Sequence, residues 1–182
     1  MSDEELMARV IAGDMGALGE LFERYKAPLF RFLYRFTSDA ALAEDTLLDA
    51  FLRVHDRRRT YRHGMRFSTW LYTIAHHLAV DRLKHASRRH SELASDLPGD
   101  DATTRDFERS ELSLAVRQAV QTLPPDQRAV IVLREYHGLS YREIAIVTGA
   151  REDAVRVRAH RARLALREAL APVVRDNLCE GV

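Results

Sequence analysis

The sequence predicts an all-α protein: two small helical domains joined by a flexible acidic linker. Three observations carry this. Apolar residues recur at helical spacing along most of the 182 residues, and alternating β-branched runs are nearly absent. Residues 91–110 (SELASDLPGDDATTRDFERS) break the pattern, being polar and acidic, with Pro98-Gly99 and no usable apolar face. From residue 111 the helical pattern resumes and runs into an arginine-rich stretch.

The elements follow in order. A short helix is expected over about 3–12, interrupted by Gly13-Asp14. Residues 15–36 carry Leu18, Leu21, Phe22, Tyr25, Leu29, Phe32 and Leu33 as one apolar stripe. Pro28 is expected to kink or restart that helix. Thr37-Ser38-Asp39 is a break with N-cap chemistry, and a helix over 40–56 follows it. Residues 57–67 read as an irregular basic loop. Ser68 is expected to cap a helix over 69–86, whose Trp70, Ile74 and Leu78 fall at four-residue steps and so belong to the core. Past the linker come 111–122, a stop and restart at Leu123-Pro124-Pro125, and 126–136. The last two helices span Leu139 to Leu170 and meet at a turn, Thr148-Gly149-Ala150.

Net charge is only +1, so the total says nothing of a polyanionic partner, but the distribution does. Residues 51–90 hold ten basic and two acidic side chains, whereas residues 1–50 hold five basic and ten acidic ones. Separate blocks of charge point to separate surfaces for separate partners. The single cysteine, Cys179, can form no intrachain disulfide, and no cysteine pair offers metal spacing. The acidic start, MSDEELMARVIAGD, lacks the basic and apolar regions of a signal peptide. No apolar run nears the ~20 residues of a membrane span. A soluble cytoplasmic protein without membrane insertion is expected.

An enzyme is the weakest reading. His77 and Asp81 are four apart on one helix with His76 beside them, but no further carboxylate-histidine set accompanies them. There is no Gly-rich phosphate loop and no nucleophile elbow. No catalytic residue, cofactor or metal is expected.

The C-terminal pattern carries the positive signal. A short helix, a glycine turn and a helix bearing Arg151, Arg156, Arg158, Arg161, Arg163 and Arg167 match a helix-turn-helix that lays its second helix in a DNA major groove. Arg156, His160 and Arg163 share one face, and Val155, Ala159, Ala162 and Leu166 share the packing face. Arginine suits both guanine edges and phosphates. In the first half, Arg57, Arg58, Arg59, Arg62 and Arg66 interleave with Tyr61 and Phe67, the composition of a loop that holds unstacked bases.

The order AEDTLLDAFLRVH (43–55), FSTWLYTIAHHLAVDRLKHASRR (67–89), an acidic linker, then LPPDQRAVIVLREYHGLSYREIAIVTGAREDAVRVRAHRARLALREAL (123–170) resembles a bacterial sigma-70 family factor of the extracytoplasmic-function group. The resemblance covers about nine tenths of the chain. It implies a non-catalytic transcription initiation factor that binds core RNA polymerase, directs it to promoters and helps melt them. It places sigma region two at residues 1–90, a linker at 91–110, region four at 111–172 and a tail at 173–182. The helix over 43–56 would dock on the polymerase β′ clamp through Asp45, Leu48, Asp49 and Arg53. An apolar surface around Val130, Leu133 and Leu139 would hold the β flap. For the minus-ten region it implies Arg59, Tyr61, Arg62, Phe67, His77, Arg82, Lys84 and Arg88. For the minus-thirty-five region it implies Arg151, Arg156, Val157, His160 and Arg161. It also implies an anti-sigma partner and a chain that is monomeric when free. Leu48, His77, Ala154 and Val157 depart from the residues common in the group. The competing reading is a conventional helix-turn-helix regulator that binds duplex DNA without polymerase.

Overall fold

The computed structural model describes residues 1–62, 64–90 and 111–179, with side chains described over 1–62, 64–85, 114–173 and at 175. The linker expected at 91–110 lies outside the described residues. The described residues form eight α-helices, α1 (Asp3–Ile11), α2 (Met15–Thr37), α3 (Ala40–Asp56), α4 (Phe67–His90), α5 (Glu111–Thr122), α6 (Pro125–Ile131), α7 (Tyr141–Thr148) and α8 (Glu152–Cys179). A 3-10 turn covers Arg58–Thr60, and a π-helical turn, Val132–Tyr136, continues α6. Among the described residues there is no strand.

Local chemistry explains the boundaries. Ser2 and Glu5 form a reciprocal capping box at the start of α1, satisfying amides that the first turn leaves unpaired. Asp14 caps α2 through the amides of Gly16 and Ala17. Ser38 turns into the left-handed region (φ 62°) to end α2, and Asp39 caps α3 at the Leu42 amide. Ser140 and Glu143 box the start of α7, and Gly149 (φ 66°) ends it, a conformation open to glycine at no steric cost.

Three expectations are corrected. Pro28 lies inside α2, which runs through it without a break. Ser68 is not a cap, because α4 already begins at Phe67. The Phe67 amide instead donates to Glu4 Oε1 of α1 at 3.2 Å, so the cap comes from a distant residue. The expected tail at 173–182 is helical as far as Cys179, with Pro172 inside α8.

Helices α1–α4 pack around Leu6, Met7, Leu21, Phe32, Leu33, Phe36, Phe67 and Leu71, all with almost no exposure. Each such side chain contributes ~1.5–3 kcal/mol of transfer free energy. Helices α5–α8 close over Val130, Val132, Leu133, Ile144, Val147, Val155 and Ala159. Most buried side chains of the two halves form one continuous cluster, with Leu123, Ile131 and Ala162 in a second. Polar contacts cross the same boundary. Arg128 Nη1 donates to the Phe36 carbonyl at 2.9 Å while Nη2 donates to the carbonyls of Gln121 and Leu123. Arg35 lies over the Tyr136 ring, 4.2 Å from its centre. Tyr72 Oη and His137 Nδ1 are 2.8 Å apart in a hydrogen bond. The π-helical turn brings Tyr136 and His137 to this boundary.

Candidate nucleic-acid interface

The helix-turn-helix is formed by α7, the Gly149 turn and α8. Val155, Ala159 and Ala162 are wholly buried and Leu166 is half-buried, so the packing face is the one expected from spacing. Arg151, Arg156, Val157, His160 and Arg161 are all exposed. Arg156 is pre-oriented: it pairs with Glu152 at 2.6 Å and its guanidinium lies 4.9 Å from the centre of the Tyr141 ring. Arg151 lies 3.8 Å from Asp153 with both side chains well exposed, a contact weak enough to exchange for a phosphate. Arg163 departs from expectation. It pairs with Glu135 at 2.7 Å and donates to Tyr141 Oη at 3.1 Å, which fastens α8 to the preceding helices. The exposed face therefore centres on Arg156, Val157, His160 and Arg161.

In the first half, the arginines and aromatics of residues 57–67 point different ways. Arg59, Arg62 and Arg66 are exposed. Tyr61 is only 6% exposed and Phe67 not at all. Tyr61 packs tilted against Trp70, ring centres 5.2 Å apart, and donates its hydroxyl to the Met65 carbonyl, and Phe67 packs edge-on to Tyr25 at 5.3 Å. Burial pushes the Tyr61 phenol up, with the nearby Glu4 and Asp3 carboxylates adding to it. The expectation that these two rings present open faces to a base is corrected here. Ring burial stabilises the domain more than an exposed loop aromatic would. The rings support the loop from beneath and leave its arginines outside. Trp70, assigned to the core, is half-buried at the edge of the same cluster.

His77 and Lys84 are exposed on α4 and Arg82 is half-buried; the side chain of Arg88 lies outside the described residues. His76 does not join His77 in a polar site. It packs on Phe36 at 5.4 Å, and burial with the neighbouring His77 depresses its pKa to about 4.

On α3, Asp45, Leu48 and Arg53 are exposed together, while Ala43, Thr46, Leu47, Ala50, Phe51 and Val54 face the core. Leu48 and Leu52 keep 53% and 62% of their surface in solvent. Leu48 therefore does not share a side with Leu47, Phe51 and Val54. Asp49 turns toward α4 and pairs with Arg82. The surface expected around Val130, Leu133 and Leu139 is also corrected: all three are buried, because they hold α6 and the π-turn against α7 and α8.

Several contacts gave no local signal in the sequence. Glu143 Oε1 accepts from Arg66 Nη1 at 3.3 Å across the boundary between the halves, and Thr69 Oγ1 lies 3.5 Å away. Burial opposes ionisation of Glu143, but the Ser140 hydroxyl and amide, with Arg66, hold its carboxyl below the ordinary value.

A glycine-turned helix-turn-helix with an exposed arginine-histidine face, beside a helical domain with an exposed basic loop, defines a DNA-binding protein of bipartite design. Comparison with known proteins gives its family. Residues 21–89 match Sigma-70 region 2 and residues 113–166 match Sigma-70, region 4. The chain is 35% identical to the RNA polymerase sigma-H factor of Pseudomonas aeruginosa, covering 96% of both chains. It is 37% identical to the RNA polymerase sigma factor CarQ of Myxococcus xanthus, over 90% of this chain and 95% of that one. It is 35% identical to the ECF RNA polymerase sigma factor SigM of Mycobacterium tuberculosis, over 91% and 83%. Among solved structures, the fold is shared by CnrH in complex with the cytosolic domain of CnrY, with TM-score 0.72, 24% identity and coverage of 94% and 99%. The sigma factor RpoE in complex with the anti-sigma factor NepR from Bartonella quintana also has TM-score 0.72, at 22% identity over 84% and 96%. The chain belongs to the sigma-70 family, in its extracytoplasmic-function group, and is an alternative sigma factor. No helix among the described residues is long and apolar enough to cross a membrane.

Proposed function

We propose that this chain docks on core polymerase through the exposed face of α3 and reads promoter DNA through two separate basic surfaces. Asp45, Leu48, Leu52 and Arg53 would meet the β′ clamp. Arg156, Val157, His160 and Arg161 would read the minus-thirty-five element, with Arg151 on a phosphate. Val157 supplies an apolar contact of the kind that suits a thymine methyl. Arg59, Arg62, His77, Lys84 and Arg88 would hold the melted minus-ten strand, with Tyr61 and Phe67 as the scaffold under the loop. An anti-sigma partner would act by covering these faces.

The observation that carries the reading is the pair Leu48 and Leu52, large apolar side chains left in water beside Asp45 and Arg53 on a helix whose other side is buried. Such a stripe calls for a protein partner. A DNA-binding face alone does not account for it. The test is run-off transcription with purified core polymerase on DNA upstream of the chain's own gene. A discrete transcript that depends on the protein supports the reading. A tight shift of the same duplex by the protein alone, with no transcript, favours a conventional regulator that uses the stripe to dimerise.

A further inference from the structure

Two residues assigned above to different partners hold each other. Arg82 of α4 donates through Nη2 to Asp49 Oδ2 and through Nη1 to Thr46 Oγ1 at 3.1 Å. Thr46 has no exposure, and its own hydroxyl proton goes to the Leu42 carbonyl at 2.5 Å. Its oxygen is thus fixed as an acceptor aimed at the guanidinium. A guanidinium carries its donors in a rigid fork, so one held on two oxygens of α3 has fewer left for a phosphate. Thr46 stands at the base of this arrangement and Asp49 at its rim. The Asp49 side chain is 45% exposed, against 26% for Arg82. Along α3, Asp49 is next to Leu48 and three residues from Leu52, so it borders the stripe proposed to meet polymerase.

We propose that Asp49 and Thr46 are positioning residues for Arg82: they withhold its guanidinium from DNA in the free chain, and docking of α3 on its protein partner draws Asp49 away and releases Arg82 to a phosphate. This rests on the docking role proposed above. An ion pair this exposed is held weakly enough to exchange when a partner offers Asp49 new donors. DNA backbone affinity on α4 would then depend on occupancy of α3, one helix away, with no movement of the backbone. Arg82 loses a carboxylate and gains a phosphate, so its charge stays paired in both states.

The test is the salt dependence of binding to a single-stranded minus-ten oligonucleotide, measured for the free chain at low salt and for the holoenzyme. Each phosphate contact on a single strand adds about 0.7 to the slope of log affinity against log salt. Asp49→Asn in the free chain is expected to steepen the slope by about that amount, and Arg82→Gln to leave it unchanged. In the holoenzyme the pattern reverses: Arg82→Gln flattens the slope by about 0.7. An Arg82→Gln holoenzyme with the wild-type slope overturns the proposal, as does a free Asp49→Asn chain with the wild-type slope. Association with core polymerase is measured separately by sedimentation. Failure of the wild type there overturns the docking role itself and, with it, the coupling. Asp49→Glu, which keeps the carboxylate, is expected to restore wild-type slopes. Thermal melting of each variant confirms that the fold is retained.

Discussion

Acid should loosen the contact between the two halves of the molecule, and His137 is the reason. Its ring lies against Phe32 at 5.9 Å and Tyr72 at 5.1 Å, and its Nδ1 is bonded to Tyr72 Oη. Its Nε2 is buried with no hydrogen-bond partner among the described residues. Protonation would place a charge in this buried site, with the α2 guanidinium groups of Arg35 and Arg31 nearby. Burial, then those two arginines, depresses the pKa from 6.5 to about 4. A histidine with a depressed pKa stabilises the packed state fully above its exposed value and loses that contribution as pH falls. The window runs from about 6.5 down to about 4. From pH 7 to pH 5 the ratio of separated to packed forms should rise roughly twentyfold, or ~2 kcal/mol. Small-angle scattering should show the radius of gyration growing over that range, and His137→Gln should blunt the change. An NMR titration placing His137 at 6.5 in the packed protein would refute the reasoning, and so would an undiminished acid expansion in His137→Gln.

Other outcomes follow from the same structure. Arg128→Ala removes donors from the carbonyls of Phe36, Gln121 and Leu123, and urea unfolding should show a loss of roughly 2–3 kcal/mol. A loss within measurement error would mean that water replaces the guanidinium. Phe67→Ala should cost ~3–5 kcal/mol of stability, because the ring is wholly buried. Impaired promoter opening with undiminished stability would instead restore Phe67 to direct contact with a base. Arg156→Ala should weaken promoter binding by ~1–3 kcal/mol and relax specificity at one upstream position. Equal loss on all sequences would make Arg156 a phosphate contact only.

Local signals were readable in the sequence where the physics is local. The turn at Gly149 and the buried face Val155, Ala159, Ala162 follow from residues a few positions apart. So do the ends of α1, α2 and α3. What escaped was set across distance. Glu4 caps α4 from sixty-three residues away, which no inspection around Ser68 could reveal. The interleaved arginines and aromatics of 57–67 had two solutions, rings outward or rings inward. Trp70 and Tyr25, supplied by other helices, decided for inward. Asp49 and Arg82, thirty-three residues apart, looked like ligands of separate partners because each was assigned on its own helix. Val130 and Leu133, which the resemblance places at a surface, are buried by helices outside their own segment.

The packing of the two halves has a consequence for how promoters are found. The minus-ten and minus-thirty-five elements are about 25 base pairs apart by name, which is ~85 Å of duplex at 3.4 Å per base pair. In this structure the halves touch through a 2.8 Å hydrogen bond between Tyr72 and His137. The 20 residues of 91–110 reach at most ~70 Å when fully extended, so the rest must come from the breadth of the domains themselves. In the packed form the molecule is a folded ruler. On the proposed reading it could rest one end on DNA, and it would measure the interval between the two elements only after the halves part.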